Sequence, residues 1–158
     1  VSFIRKALAD NGWGHIPVIT VAATHKQGEE KHDGMIFGLA GITKALTSFV
    51  FGDTLMRCLL RTRPYELVEG SANALYDEML KVGINQVTKS SLIGYNKSIA
   101  EIVRAFDELP LRDVHKPRIG VVGEILVKFH PDANNHVIDV IEKEGAEAVV
   151  PDILCFFA

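Results

Sequence analysis

The segment RIGVVGEILVKFHPDANNHVIDVIEKEGAEAVV, residues 118 to 150, constrains the fold of this chain more than any other. Arg118 to Gly123 is short, apolar and glycine-ended, as a buried strand is. Asn134 to Glu144 carries apolar residues at helical spacing, and Gly145 stands where a helix C-cap places glycine. Ala146 to Val150 is again apolar and short. Strand, loop, helix, strand predicts a β-α-β unit with a parallel pair of strands.

The rest of the chain is read as mainly helical. Phe3, Ile4, Ala7 and Leu8 share one helix face, and Asn11-Gly12 ends that helix. His15 to Val21 is β-branched and apolar, which predicts a short strand with Pro17 near its start. Thr24 to Asp33 is a polar loop containing His25 and His32. Met35 to Arg63 is expected to be helical, in one piece or hinged near Gly52, and sandwiched because it is apolar on more than one side. Ser71 to Val82, and Ser90 or Ser91 to Leu109, are the next helices, with Ser71 the expected cap of the first. Leu111 to Pro117 is charged and bounded by Pro110 and Pro117, as a linker is. The expected fold class is therefore α/β, in two parts. Residues 1–110 form the helix-rich end of one Rossmann-like lobe. After the linker at 111–117, residues 118–158 form the first β-α-β unit of a second, truncated parallel-sheet lobe.

Composition narrows the function. The net charge is -3 and no block of like charges occurs, which argues against a nucleic-acid partner. No apolar run reaches the ~18 residues of a membrane span, and no apolar leader is seen, so the expectation is a cytoplasmic protein. Because the chain begins at Val1 and ends on apolar residues, it is expected to be an internal piece of something longer. The two cysteines, Cys58 and Cys155, form no CxxC spacing and are expected as reduced thiols, with no metal held by this chain.

The loop after Gly123 lies where open parallel sheets bind ligands, beyond the carboxyl end of a strand. Glu124, Lys128, His130, Asn134 and Asn135 are the candidate ligand contacts. Lys128, His130 and the following helix N-terminus suit an anionic group. Gly120-x-x-Gly123 lacks the third glycine of a dinucleotide fingerprint, and Glu124 would repel a pyrophosphate. The alternative for the loop is a tight turn whose polar residues satisfy the backbone. Arg63, Tyr65 and Glu66 form a second candidate, either an interface or a helix-ending turn. Asp53 and Arg57 are expected to pair one helical turn apart. No catalytic residue can be assigned from spacing.

Lys116 to Leu154, together with FIRKALADNGWGHIPVIT and FGDTLMRCLLRTRPYELVEG, resembles the family of 2-hydroxyacyl-CoA dehydratase-related proteins. More narrowly, it is similar to the large 2-hydroxyglutaryl-CoA dehydratase activator-like (acyl-CoA dehydratase activase-related) proteins of anaerobic bacteria. The resemblance implies stacked α/β lobes and an iron–sulfur cluster of the 4Fe-4S type, held by cysteines outside this chain. It also implies ATP-driven low-potential electron transfer or dehydration of a CoA thioester by the full-length protein. Partners would be the remainder of that protein, an ATPase module or a dehydratase subunit. The chain itself would be a scaffold segment lining a cleft and inactive alone; the alternative is a non-catalytic docking module.

Overall fold

The computed structural model describes residues 2–18, 39–89 and 92–156. The loop expected at 24–33, and the end of the strand expected at 15–21, lie outside them. The chain divides into two compact units, residues 1–39 and 40–158.

In the first unit, α1 (Ser2–Asp10) ends where Asn11-Gly12 predicts, with Gly12 in the left-handed region at φ 79°. The helix is followed by turns, and Trp13 donates its backbone N–H to the Leu8 carbonyl at 2.7 Å. Residues 15–18 form no strand. None of the α1 residues is buried.

The second unit is built around α2 (Leu39–Thr62), a continuous helix of 24 residues that does not break at Gly52. It is followed by a 3-10 turn (Arg63–Tyr65), α3 (Ser71–Thr88) and α4 (Tyr95–Asp107). Next come β1 (Arg118–Gly120), the short α5 (Ile125–Phe129), a 3-10 turn (Pro131–Ala133), α6 (Val137–Lys143) and β2 (Glu147–Val149). The strands pair in parallel, Arg118 with Glu147, Ile119 with Ala148 and Gly120 with Val149. The unit is thus helix-rich with a small two-stranded parallel sheet. The β-α-β order matches the sequence expectation. The helix predicted over Asn134 to Glu144 is shorter, Val137–Lys143, and the stretch expected as a loop before it contains the short α5 and a 3-10 turn.

The two apolar sides expected of α2 bury against different partners. Phe51 and Leu55 pack with Met79 of α3 and with Ile102 and Phe106 of α4. Further along the helix, Leu60 packs with Val121, Ile141, Ala146, Ala148 and Val150 of the β-α-β unit. Phe106, Leu55 and Ile102 are the largest fully buried side chains among the described residues. Burying each removes enough apolar surface to stabilise the fold by about 1.5–3 kcal/mol.

Three polar ties hold the β-α-β unit and the segment after it to α2 and the turn that follows that helix. Arg63 donates through Nε and Nη2 to both oxygens of Glu142, at 2.7 and 2.9 Å. Tyr65 donates its hydroxyl to Glu147 at 2.8 Å, and Arg118 donates to the same carboxylate at 3.0 Å. Asp53 accepts from the backbone N–H of Ile153 and Leu154 at 2.9 and 3.1 Å. The segment 111–117 lies inside this unit, where Glu66 and Leu111 form an antiparallel bridge.

Candidate functional site

The loop after β1 brings its five sequence-nominated residues together, but the fold engages three of them. Glu124 is the N-cap of α5, and its carboxylate accepts from the Val127 N–H at 3.2 Å. Lys128 is buried to 7% exposure; its Nζ donates to the Pro151 carbonyl at 3.2 Å and lies 4.5 Å from the Phe129 ring centroid. Asn134 donates to the Val127 and Lys128 carbonyls at 2.9 and 3.2 Å and accepts from the Val137 N–H at 3.2 Å. One amide therefore closes the end of α5 and opens α6. Asn135 is exposed and adopts φ 55°, a left-handed conformation that asparagine tolerates better than most residues. His130 is exposed at the junction of α5 and the 3-10 turn. What the loop presents outward includes apolar surface: Val122, Leu126 and Val127 are 81%, 63% and 46% exposed.

Arg63, Tyr65 and Glu66 form a turn with structural partners. Arg63 and Tyr65 make the ties described above. Glu66 accepts from the N–H groups of Gly70 and Ala72, both at 2.7 Å, and from the Ser71 hydroxyl at 3.2 Å. It thereby satisfies the amino end of α3, the task expected of Ser71. Gly70, at φ 85°, provides the left-handed residue that turns the chain into that helix.

A cleft of about 580 Å³ opens between α2, α4 and the segment after β2. Its volume is that of an ordinary small-molecule site. Val50, Ile99, Val103 and Leu154 give it apolar walls, and Arg57 and Arg61 reach it from successive turns of α2. The cleft borders the carboxyl end of β2, the edge at which parallel sheets bind ligands. The pair that spacing predicts between Asp53 and Arg57 does not form. Asp53 is taken by the amides of 153 and 154, and Arg57 instead donates to Asp152 Oδ2 at 2.9 Å. The other oxygen, Asp152 Oδ1, is buried and has no hydrogen-bond partner. Arg61 is exposed and forms no ion pair among the described residues.

Cys58 lies in the same wall. Burial raises its thiol above the ordinary value, Asp107 adds to the shift, and Arg61 and Arg57 oppose it. The thiol is therefore protonated at neutral pH and is a poor nucleophile. Cys155 is exposed. A 4Fe-4S cluster takes four thiolates, and this chain has two cysteines, so its residues do not fit such a group by themselves.

Sequence reasoning misses the cleft because its walls come from three distant stretches, around residues 50–62, 99–111 and 152–154. The available signal was the pair Arg57 and Arg61 on one helix face. Among the described residues, no helix is long and apolar enough to cross a membrane. In comparisons with known proteins, the chain matches no family model, no curated protein and no solved structure.

Proposed function

We propose that the chain is a scaffold segment framing a ligand cleft in a protein related to the 2-hydroxyacyl-CoA dehydratases and their activators. In this reading the full-length protein carries out ATP-driven low-potential electron transfer or CoA-thioester dehydration. Cysteines outside this chain hold its iron–sulfur cluster. The observation that carries the scaffold reading is the cleft beside the carboxyl end of β2, with apolar walls and two arginines on one helix face. Such a cleft suits a ligand with an apolar body and an acceptor oxygen for the arginines, such as the acyl chain and carbonyl of a thioester. The parallel strand pair with α2 packed against it supports membership of a Rossmann-like lobe. The chain alone is inactive, because two cysteines do not make a cluster site. The test is to purify the longer natural protein without oxygen and record iron, sulfide and the visible spectrum beside this chain. Cluster in the longer protein alone supports the reading; cluster in neither removes the redox part.

The alternative is a docking module that contacts a partner subunit or an ATPase module. The exposed Val122, Leu126 and Val127 on the loop after β1 favour it. Val122→Asp with Leu126→Asp should abolish co-purification with the partner while leaving the melting temperature in place. Unchanged co-purification would remove the alternative.

A further inference from the structure

We infer that the cleft between α2 and α4 takes a monocarboxylate with an apolar body, and that Asp152 occupies part of its anion subsite as a built-in competitor. The inference rests on the reading of the cleft as a ligand site and adds the class of ligand. Two arginines on successive turns of α2 reach the cleft. One, Arg57, holds a carboxylate already, Asp152, through a single 2.9 Å contact, although its side chain is 61% exposed. The other, Arg61, is exposed with no ion-pair partner among the described residues. Asp152 is under-satisfied where it stands, because its Oδ1 is buried without a partner. An incoming carboxylate that takes the place of Asp152 on Arg57 and bridges to Arg61 leaves Asp152 without its cation, so Asp152 competes with it for Arg57.

Charge selects the class. The charged side chains lining the cleft are two arginines and three aspartates, Asp53, Asp107 and Asp152. Asp53 is satisfied by two backbone N–H groups, but it still adds negative charge. The excess of acid opposes any anion, so binding rests on the two guanidiniums locally, and a monoanion meets less of that opposition than a phosphate dianion or a pyrophosphate. The apolar walls, Val50, Ile99, Val103 and Leu154, would bury the body of the ligand.

The experiment is calorimetric titration of the chain with 4-phenylbutyrate, 4-phenylbutanol and 4-phenylbutyl phosphate, on the wild type, Arg61→Gln and Asp152→Asn. Phenylbutyrate is expected to bind about tenfold more tightly than the alcohol, the value of one charge-assisted contact. Arg61→Gln should remove that advantage, and Asp152→Asn should strengthen phenylbutyrate binding by freeing Arg57. Arg61 is exposed, so its variant folds, and melting curves of both unliganded variants check this. Equal binding of acid and alcohol would overturn the carboxylate subsite while leaving the cleft as an apolar site. Tighter binding of the phosphate would overturn the choice of class. Phenylbutyrate affinity unchanged or weakened by Asp152→Asn would overturn the competitor role. No binding of any probe would overturn the cleft reading itself and the inference with it.

Discussion

At the scale of single residues, the polar groups of the loop after β1 do structural work. Asn134 makes three hydrogen bonds that join α5 to α6. Asn134→Ala leaves those backbone groups unmatched and should cost about 1–3 kcal/mol in denaturant unfolding. Anion binding in the cleft should be unaffected in the folded fraction. Glu66 is a second such residue: Glu66→Ala removes the acceptors of the first N–H groups of α3 and should cost about 1–2 kcal/mol. Ser71→Ala should cost less, because the serine hydroxyl donates to Glu66 and caps no amide in the described structure. The two thiols should also separate. Cys155 is exposed, whereas Cys58 is half-buried with its thiol held protonated. Iodoacetamide at pH 8 should modify Cys155 several-fold faster, and mass spectrometry of the time course reads the order directly. Faster labelling at Cys58 would mean that the cleft wall is far more open than described.

At the scale of elements, α2 joins the two apolar cores. Phe106 is 1% exposed and lies in the core α2 shares with α3 and α4. Phe106→Ala should destabilise by about 3–5 kcal/mol, measured by urea unfolding. The other core depends on the tie between Arg63 and Glu142, whose side chains are 20% and 14% exposed. Arg63→Met should cost about 2 kcal/mol, because it leaves a largely buried carboxylate unpaired. A double-mutant cycle with Glu142→Gln isolates the coupling. Much of this layer is legible in the sequence. The β-α-β unit follows from strand-sized apolar runs on either side of a helix-period stretch, and the two-sided α2 follows from its apolar breadth. What escapes is local competition. ILVKF (residues 125–129) is too short to show a helical period, so α5 is hidden until Glu124 is seen capping it. The end of α3 at Thr88, beyond the expected Val82, rests on tertiary partners such as Gln86, which donates to the Ile93 carbonyl at 3.0 Å. The anion donors assigned to the loop were chosen by residue type. Residue type does not reveal that Lys128 and Asn134 are already engaged by the Pro151, Val127 and Lys128 carbonyls.

At the scale of the whole molecule, three weakened acids set an alkaline limit. Burial raises Cys58, Tyr65 and Tyr95, and in Tyr65 the hydrogen bond to Glu147 adds to it. Each group keeps its proton to higher pH when folded than when unfolded. The stability linked to them is complete below the ordinary thiol and phenol values of 9.0 and 10.0 and is lost as pH rises through the folded values. Thermal melts from pH 8 to 11 should therefore fall above about pH 9, and Tyr65→Phe should soften the fall. The central claim is that the cleft between α2 and α4, and not the loop from Glu124 to Asn135, is where this scaffold meets its ligand. The most direct measurement is backbone amide shift mapping by NMR while the chain is titrated with 4-phenylbutyrate. The account predicts that the largest shifts fall on Arg57 to Thr62, Val103 to Asp107 and Ile153 to Leu154. Largest shifts on Glu124 to Asn135, with the α2 amides unmoved, would contradict it.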